Sequence, residues 1–191
     1  MIYRIFISVS LALAAITLTP GVASAANYCV GSVPACTASP SPPFSTDAAG
    51  ITGAVAAANA NAGSDNVFLA AGTYTLGAAL APTFSPAQDI HIIGAGVGQT
   101  VFTGSVASAA QLTLNFTTAT SDAKGFSLNV TGLPSNATGV HVFKGGISDF
   151  SVSQPGGLAS NFSAVALDSG ASARGGSIAI TSGNGVGLQL D

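Results

Sequence analysis

GSDNVFLAAGTYTLGAALAPTFSPAQDIHIIGAGVGQTVFTG, residues 63–104, is the stretch that decides the fold. It holds two short β-type runs, residues 67–69 and 90–93, built from Val, Phe, Leu, Ile and His. Gly72-Thr73-Tyr74 and the turn Gly94-Ala95-Gly96 punctuate them. Branched and aromatic residues gather in the runs, while Gly, Pro, Asp and Asn gather between them, as strands and turns require. The stretch therefore predicts several short strands joined by tight turns.

Upstream, Thr46 or Asp47 is placed to cap a helix over about residues 47–61. Ile51, Val55 and Ala58 recur there at i, i+4 and i+7 and form one apolar stripe, and Gly63 stops the helix. So short and Ala-rich a helix is marginal alone. Its stripe gives it a reason to form, because it can cover the open end of a strand stack, whose backbone groups and core side chains would otherwise be bare.

Downstream the chain repeats. Residues 126–130 (FSLNV) recur as 150–152 (FSV) and as 178–180 (IAI), with steps of 24 from Leu128 to Val152 and 28 from Val152 to Ile180. A second series runs through residues 112–116, 140–143, 165–167 and 188–190, with a step of 23 from Leu167 to Leu190. Two interleaved series sharing one drifting period are what stacked coils produce, each coil giving one strand to each wall. An antiparallel sandwich is the competing architecture; the helix and the in-step repeats favour a parallel stack.

A short helix, then GSDNVFLAAGTYTL, then IHIIGAGVGQTVFTG resembles the N-terminal cap and first coils of secreted right-handed parallel β-helix proteins, the pectin-lyase-like superfamily. The resemblance covers roughly residues 47–103 well and the remainder loosely. It implies an all-β, right-handed parallel β-helix (solenoid) with a short N-terminal capping α-helix; the right-handed rule for parallel crossovers points to the same hand. The body is expected over residues 46–191, with coils from about residue 65. About four coils fit between Ile90 and Asp191, and the sequence offers no C-terminal cap, so truncation or self-association through the last coil is expected.

The N-terminus reads as an address rather than as structure. One cation, Arg4, precedes a mainly apolar run over residues 5–18, then Pro20-Gly21 and the small-x-small pattern Ala23-Ser24-Ala25. The run is shorter than the about 20 residues a membrane span needs, so residues 1–25 are expected to be a secretory leader and the mature chain to begin near Ala26. The expected location is extracellular or at the cell surface, with no membrane span in the mature chain. The only cysteines, Cys29 and Cys36, follow directly; an even, close pair in an oxidising compartment is expected to form a disulfide. The spacing is not Cys-x-x-Cys and no cation lies nearby to activate a thiol, which argues against redox chemistry. Residues 37–45, rich in Pro and Ser, read as a linker, so residues 26–45 are taken as a disulfide loop and linker.

Charge narrows the function classes. Charged residues are 6% of the chain, Glu and Trp are absent, and the formal charge is −3. Loss of Arg4 with the leader leaves 3 basic against 7 acidic residues, a formal −4. A nucleic-acid binder needs a basic footprint, and none exists. Gly94-x-Gly96 imitates a dinucleotide-binding turn, but Gln99 stands where a third Gly is required and Thr100-Val101-Phe102 reads as strand, so a plain turn is expected. Ser121-Asp122-Ala123-Lys124 matches Ser-x-x-Lys without its companion motifs. His91 alternates with isoleucines and reads as a packed or surface strand residue; His91 and His141 suggest no metal ligand set. Asn115, Asn129, Asn136 and Asn161 head Asn-x-Ser/Thr sequons and read equally as turn and outer-face residues.

One polar column is a candidate catalytic site. If Phe143, Leu167 and Leu190 align, Lys144, Asp168 and Asp191 stack on successive coils about 4.8 Å apart. Paired carboxylates can serve glycoside hydrolysis, or hold calcium while a cation abstracts a proton, as the resemblance to polysaccharide lyases implies. A slide of one residue would instead set Val142 opposite Leu167 and Phe143 opposite Asp168. Two functions compete. The preferred one is an exported, non-catalytic surface module, structural or glycan-binding, without cofactor. The alternative is a polysaccharide lyase or glycoside hydrolase using Lys144, Asp168 and Asp191, calcium entering only in the lyase case. Few cations and a net negative mature chain weigh against a polyuronate substrate.

Overall fold

The computed structural model describes residues 24–36, 43–84, 88–104, 110–131, 136–154, 162–180 and 185–190. The apolar leader run, residues 37–42 of the Pro/Ser-rich stretch, Asn161 and Asp191 lie outside them. In chain order the elements are β1 (Asn27–Val30), α1 (Ala48–Ala60), β2 (Ser64–Leu69), β3 (Gly72–Leu76), β4 (Asp89–Gly94), β5 (Thr100–Gly104) and β6 (Ala110–Asn115). They continue as β7 (Asp122–Val130), β8 (Thr138–Gln154), β9 (Ser163–Leu167), β10 (Ala171–Arg174), β11 (Ser177–Ile180) and β12 (Val186–Leu190). Every strand pairing among these elements is parallel, and the chain winds a β-solenoid of about four turns.

Three walls result. The first stacks β1, β2, β4, the start of β7, the middle of β8, and β10. The second stacks β3, β5, the end of β7, the end of β8, and β11. The third stacks β6, the start of β8, β9 and β12, with Leu80 bridging to Leu112 at its upper edge. Alternation along each strand sends one residue in two to the interior. Val67, Ile92, Ala123 and Ile147 form one inner column, and Leu114, Val142 and Leu167 form another, all buried. An aromatic ladder runs beside the second wall: the rings of Tyr74 and Phe102, Phe102 and Phe126, and Phe126 and Phe150 lie 5.5, 5.9 and 6.3 Å apart. Such pairs add about 0.5–1.5 kcal/mol each beyond their buried area.

Where the first wall turns into the second, Gly125, Asp149 and Gly175 take left-handed backbone with φ of 70°, 47° and 58°. Left-handed residues let a single strand bend sharply without a loop. Gly145, φ 72°, gives β8 its other corner, so this one strand serves all three walls.

The predicted two strand series are present, with a change of register in the first of them. Leu128 opposes Val152 as expected, but Val152 opposes Ile178, a step of 26 rather than 28. The Gly94-Ala95-Gly96 turn continues through residues 97–99 into strand β5, with no helix after it, as expected of a plain turn.

At the N-terminal end α1 starts at its cap Asp47, whose carboxylate accepts from the Gly50 amide at 2.7 Å. The helix buries Ile51, Ala54, Val55 and Ala58 against the first coil, as the stripe predicted. It ends at Asn61 in extended backbone, two residues before Gly63. Cys29 and Cys36 are bonded, with Cα atoms 6.2 Å apart. Cys29 belongs to β1, and Phe44 exchanges backbone hydrogen bonds with Cys29 and Gly31. Strand β1, expected in a loop ahead of the body, is thus the first rung of the wall. At the other end Ile178, Val186, Leu188 and Leu190 are exposed. No helix among the described residues is long and apolar enough to cross a membrane.

Candidate functional site: two histidine–carboxylate clusters on the outer walls

Residues that point outward on neighbouring rungs meet side by side, and chemistry on a solenoid arises from such meetings. On the first wall Asn27, Asn66, His91 and Asp122 share one register column. The Asn66 amide donates to the Asn27 side-chain oxygen at 3.0 Å. His91 Nδ1 lies 2.6 Å from Asp122 Oδ1. Its Nε2 lies 3.2 Å from the Ser64 hydroxyl and 3.7 Å from Asp89 Oδ2. The Ser64 hydroxyl also lies 3.4 Å from Asp89 Oδ2, so its single proton has two acceptors. With the imidazole proton on Nδ1, His91 donates to Asp122 and leaves Nε2 to accept from Ser64. Asp89 is held from behind by the Ser121 hydroxyl at 3.2 Å, and Ser121 in turn receives the Ile90 amide at 3.0 Å. Beyond Asp122 a polar cleft of about 210 Å³ continues along the wall past Ser148 and Ser172 to Arg174.

The third wall carries the second cluster. His141 Nε2 lies 2.8 Å from Asp168 Oδ1, and the His141 and Phe143 rings pack with centroids 4.2 Å apart. Beside them opens a depression of about 540 Å³ lined by Asn115, Phe116, Thr117, Phe143, Lys144, Asp168 and Ser169.

The column expected of Lys144, Asp168 and Asp191 is set differently. Val142 opposes Leu167, and Leu167 opposes Leu190, so the wall takes the register one residue away from the alignment of Phe143 with Leu167. The Asp168 amide donates to the Val142 carbonyl at 2.9 Å, and an irregularity after Leu114 sets Lys144 opposite Asn115. Lys144 and Asp168 are therefore not directly opposed on their neighbouring rungs, yet both border the same depression. Asp191 lies outside the described residues.

His91, read from sequence as a packed or surface strand residue, does lie on a strand, and there it joins Ser64, Asp89 and Asp122 in one polar cluster. Its cross-rung partners Ser64 and Asp122 lie 27 and 31 residues away, and His141 lies 27 from Asp168. Only a secure register could have paired them; the one local signal was that each His alternates with inward apolar residues. Among the described residues no group of three or more His, Cys or Asp side chains is placed to hold a metal ion.

No protein-family model, curated protein or solved structure matches the chain. The class defined by the fold is a parallel β-solenoid with a capping helix, and its outer walls must speak for its function.

Proposed function

We propose that the chain is an exported β-helix that binds glycan in the depression on its third wall. One observation carries this reading: an aromatic ring, Phe143, stands beside one cation, one carboxylate and a set of neutral polar groups, Asn115, Thr117 and Ser169, in an open hollow. An apolar ring face offers area to the C–H face of a sugar, and amides, hydroxyls and charged groups satisfy its hydroxyls. Lys144 and Asp168 offset one another, which suits a neutral saccharide better than a polyuronate. Among the described residues Asp168 is the one carboxylate that lines this hollow, and His141 engages it, which favours binding over the lyase and glycosidase chemistry expected of two carboxylates. The leader pattern supports export. Titration of the protein with a panel of neutral and acidic oligosaccharides tests the reading. A bound neutral sugar should lose about tenfold in affinity, about 1.4 kcal/mol, in Phe143→Ala. Absence of binding across the panel, or undiminished binding by that variant, would refute it.

The first wall supports a second reading. Ser64, His91 and Asp122 stand in the order hydroxyl, imidazole, carboxylate that activates a serine for acyl transfer, and the triad is recognised by such geometry rather than by fold. Hydrolysis of small acyl esters, lost in both Ser64→Ala and His91→Ala, is the expected result; equal rates in the wild type and both variants would leave the cluster as a ladder pinning three rungs.

A further inference from the structure

Among the described residues the inner face of the first wall carries one charged side chain. Asp65 on β2 points inward and is fully buried. Its Oδ1 accepts from the Ala26 backbone nitrogen at 2.7 Å and from the Asn61 side-chain amide at 2.8 Å. Its Oδ2 is also buried and has no hydrogen-bond partner among the described residues. A buried carboxylate in that condition is costly unless it meets a positive charge. No Lys, Arg or His side chain forms an ion pair with it among the described residues.

The missing charge can come from the backbone. Ala23-Ser24-Ala25 immediately precedes Ala26, and Ser24 and Ala25 are exposed whereas Ala26 is partly covered. We infer that a leader peptidase cuts between Ala25 and Ala26, and that the α-ammonium so released is the buried partner of Asp65. The inference rests on the export reading above and deepens it by naming the bond cut and the group that receives the new terminus. In the cut, water adds across the Ala25–Ala26 amide, leaving a carboxylate on Ala25 and an ammonium on Ala26. An amide nitrogen brings one proton to Asp65; the ammonium brings three and a full charge, enough to serve Oδ2 as well as Oδ1. The site is built to receive it. Ala26 is tied down on its other side, its carbonyl accepting from the Asn66 amide at 2.9 Å, and β1 follows as the first rung. Processing would thus complete the folded body rather than merely trim it.

The groups facing the new terminus are few, which makes the test clean. Asp65 comes from β2 and Tyr28 from β1, and α1 contributes the uncharged Asn61 amide at its end and carries no ionisable side chain. Burial, and next the Asp65 charge, push the Tyr28 phenol above its ordinary value, so it stays neutral near pH 7. An amine merely buried there would titrate below the ordinary α-amino range of about 7.7–8.0, whereas one paired with Asp65 would titrate above it.

The experiment uses the full chain expressed with its own leader and recovered after export. Mass spectrometry reads its first residue, and amine acylation with an acetyl ester is followed over pH at the α-amine, with Lys124 and Lys144 as internal references. The expected result is a first residue of Ala26 and an α-amine acylated at least about tenfold more slowly than in the urea-unfolded chain. Its reactivity should rise only above the ordinary α-amino range, and Asp65→Asn should remove the protection. A terminus at Ala26 that reacts as freely as in urea, or titrates below that range, overturns the ion pair and leaves export standing. A terminus elsewhere, or an exported chain that keeps its leader, overturns the assigned cut; a chain found only inside the cell also overturns export. The wild-type profile alone decides if Asp65→Asn does not fold.

Discussion

Asp149 holds left-handed backbone at a corner where the coils on either side place Gly125 and Gly175. A non-glycine residue there costs about 1–2 kcal/mol, and nothing in the sequence announces that an aspartate will bear it. Asp149→Gly should therefore be neutral or stabilising. Gly125→Ala should cost at least about 1–2 kcal/mol, because it adds the same strain and would put a Cβ 2.8 Å from the Gly94 carbonyl. Urea unfolding should show Gly125→Ala destabilised and Asp149→Gly unchanged or stabilised; a destabilised Asp149→Gly would show that its carboxylate does more than tolerate the corner. Asp47 gives the residue scale its pH dependence. The Gly50 amide, and after it the Ser45 hydroxyl, hold its carboxyl below the usual carboxylate range. A folded value below the unfolded one means stability that is present above the unfolded value near 3.9 and lost as pH falls through the folded one. Asp47→Asn, which can cap without ionising, should thus lose less melting temperature than the wild type between pH 5 and the acid limit, to be read by thermal denaturation over about pH 2–5. This cap was legible in the sequence because its rule is local.

Between elements, legibility depended on how many residues could compete for one place. The inner series Leu112/Leu114, Val140/Val142, Val165/Leu167 and Leu188/Leu190 was readable since each strand alternates. Phe143 misled the alignment: a large aromatic beside Val142 reads as core, yet the period of two sends it outward. The same ambiguity moved β11, where Ile178 and Ile180 are chemically equal candidates and only the length of the preceding turn chooses between them. Position along the stack should also grade the energetics. Phe126 is buried between the rings of Phe102 and Phe150, so Phe126→Ala should cost about 3–5 kcal/mol. Ile178, 37% exposed on the last rung of the same wall, should cost well under half of that when truncated to Ala. Chemical denaturation of both variants checks the gradient, and equal losses would mean that the last rung is covered in solution.

For the molecule as a whole, the stacked architecture was legible in repeat spacing, whereas neither histidine cluster was. Each cluster exists only after chain segments 27 to 31 residues apart settle into one register. Asp65 was equally silent, because it falls among turn-type residues ahead of the run at residues 67–69 and gives no sign of belonging to the strand, still less of facing inward. One consequence of the parallel rungs concerns force. Each coil is fastened to its neighbours by rows of hydrogen bonds along the axis, and the disulfide closes a loop of its own at the first rung without crossing from coil to coil. A load that peels the last coil meets one rung at a time. Each coil of about 24 residues, as from Asp122 to Gly146, would release roughly 80 Å of extended chain in exchange for one rung spacing of about 4.8 Å. Stretched between a bead and a surface, the protein should lengthen in a staircase of near-equal steps and rewind in the reverse order, behaving as a spool more than as a bolt.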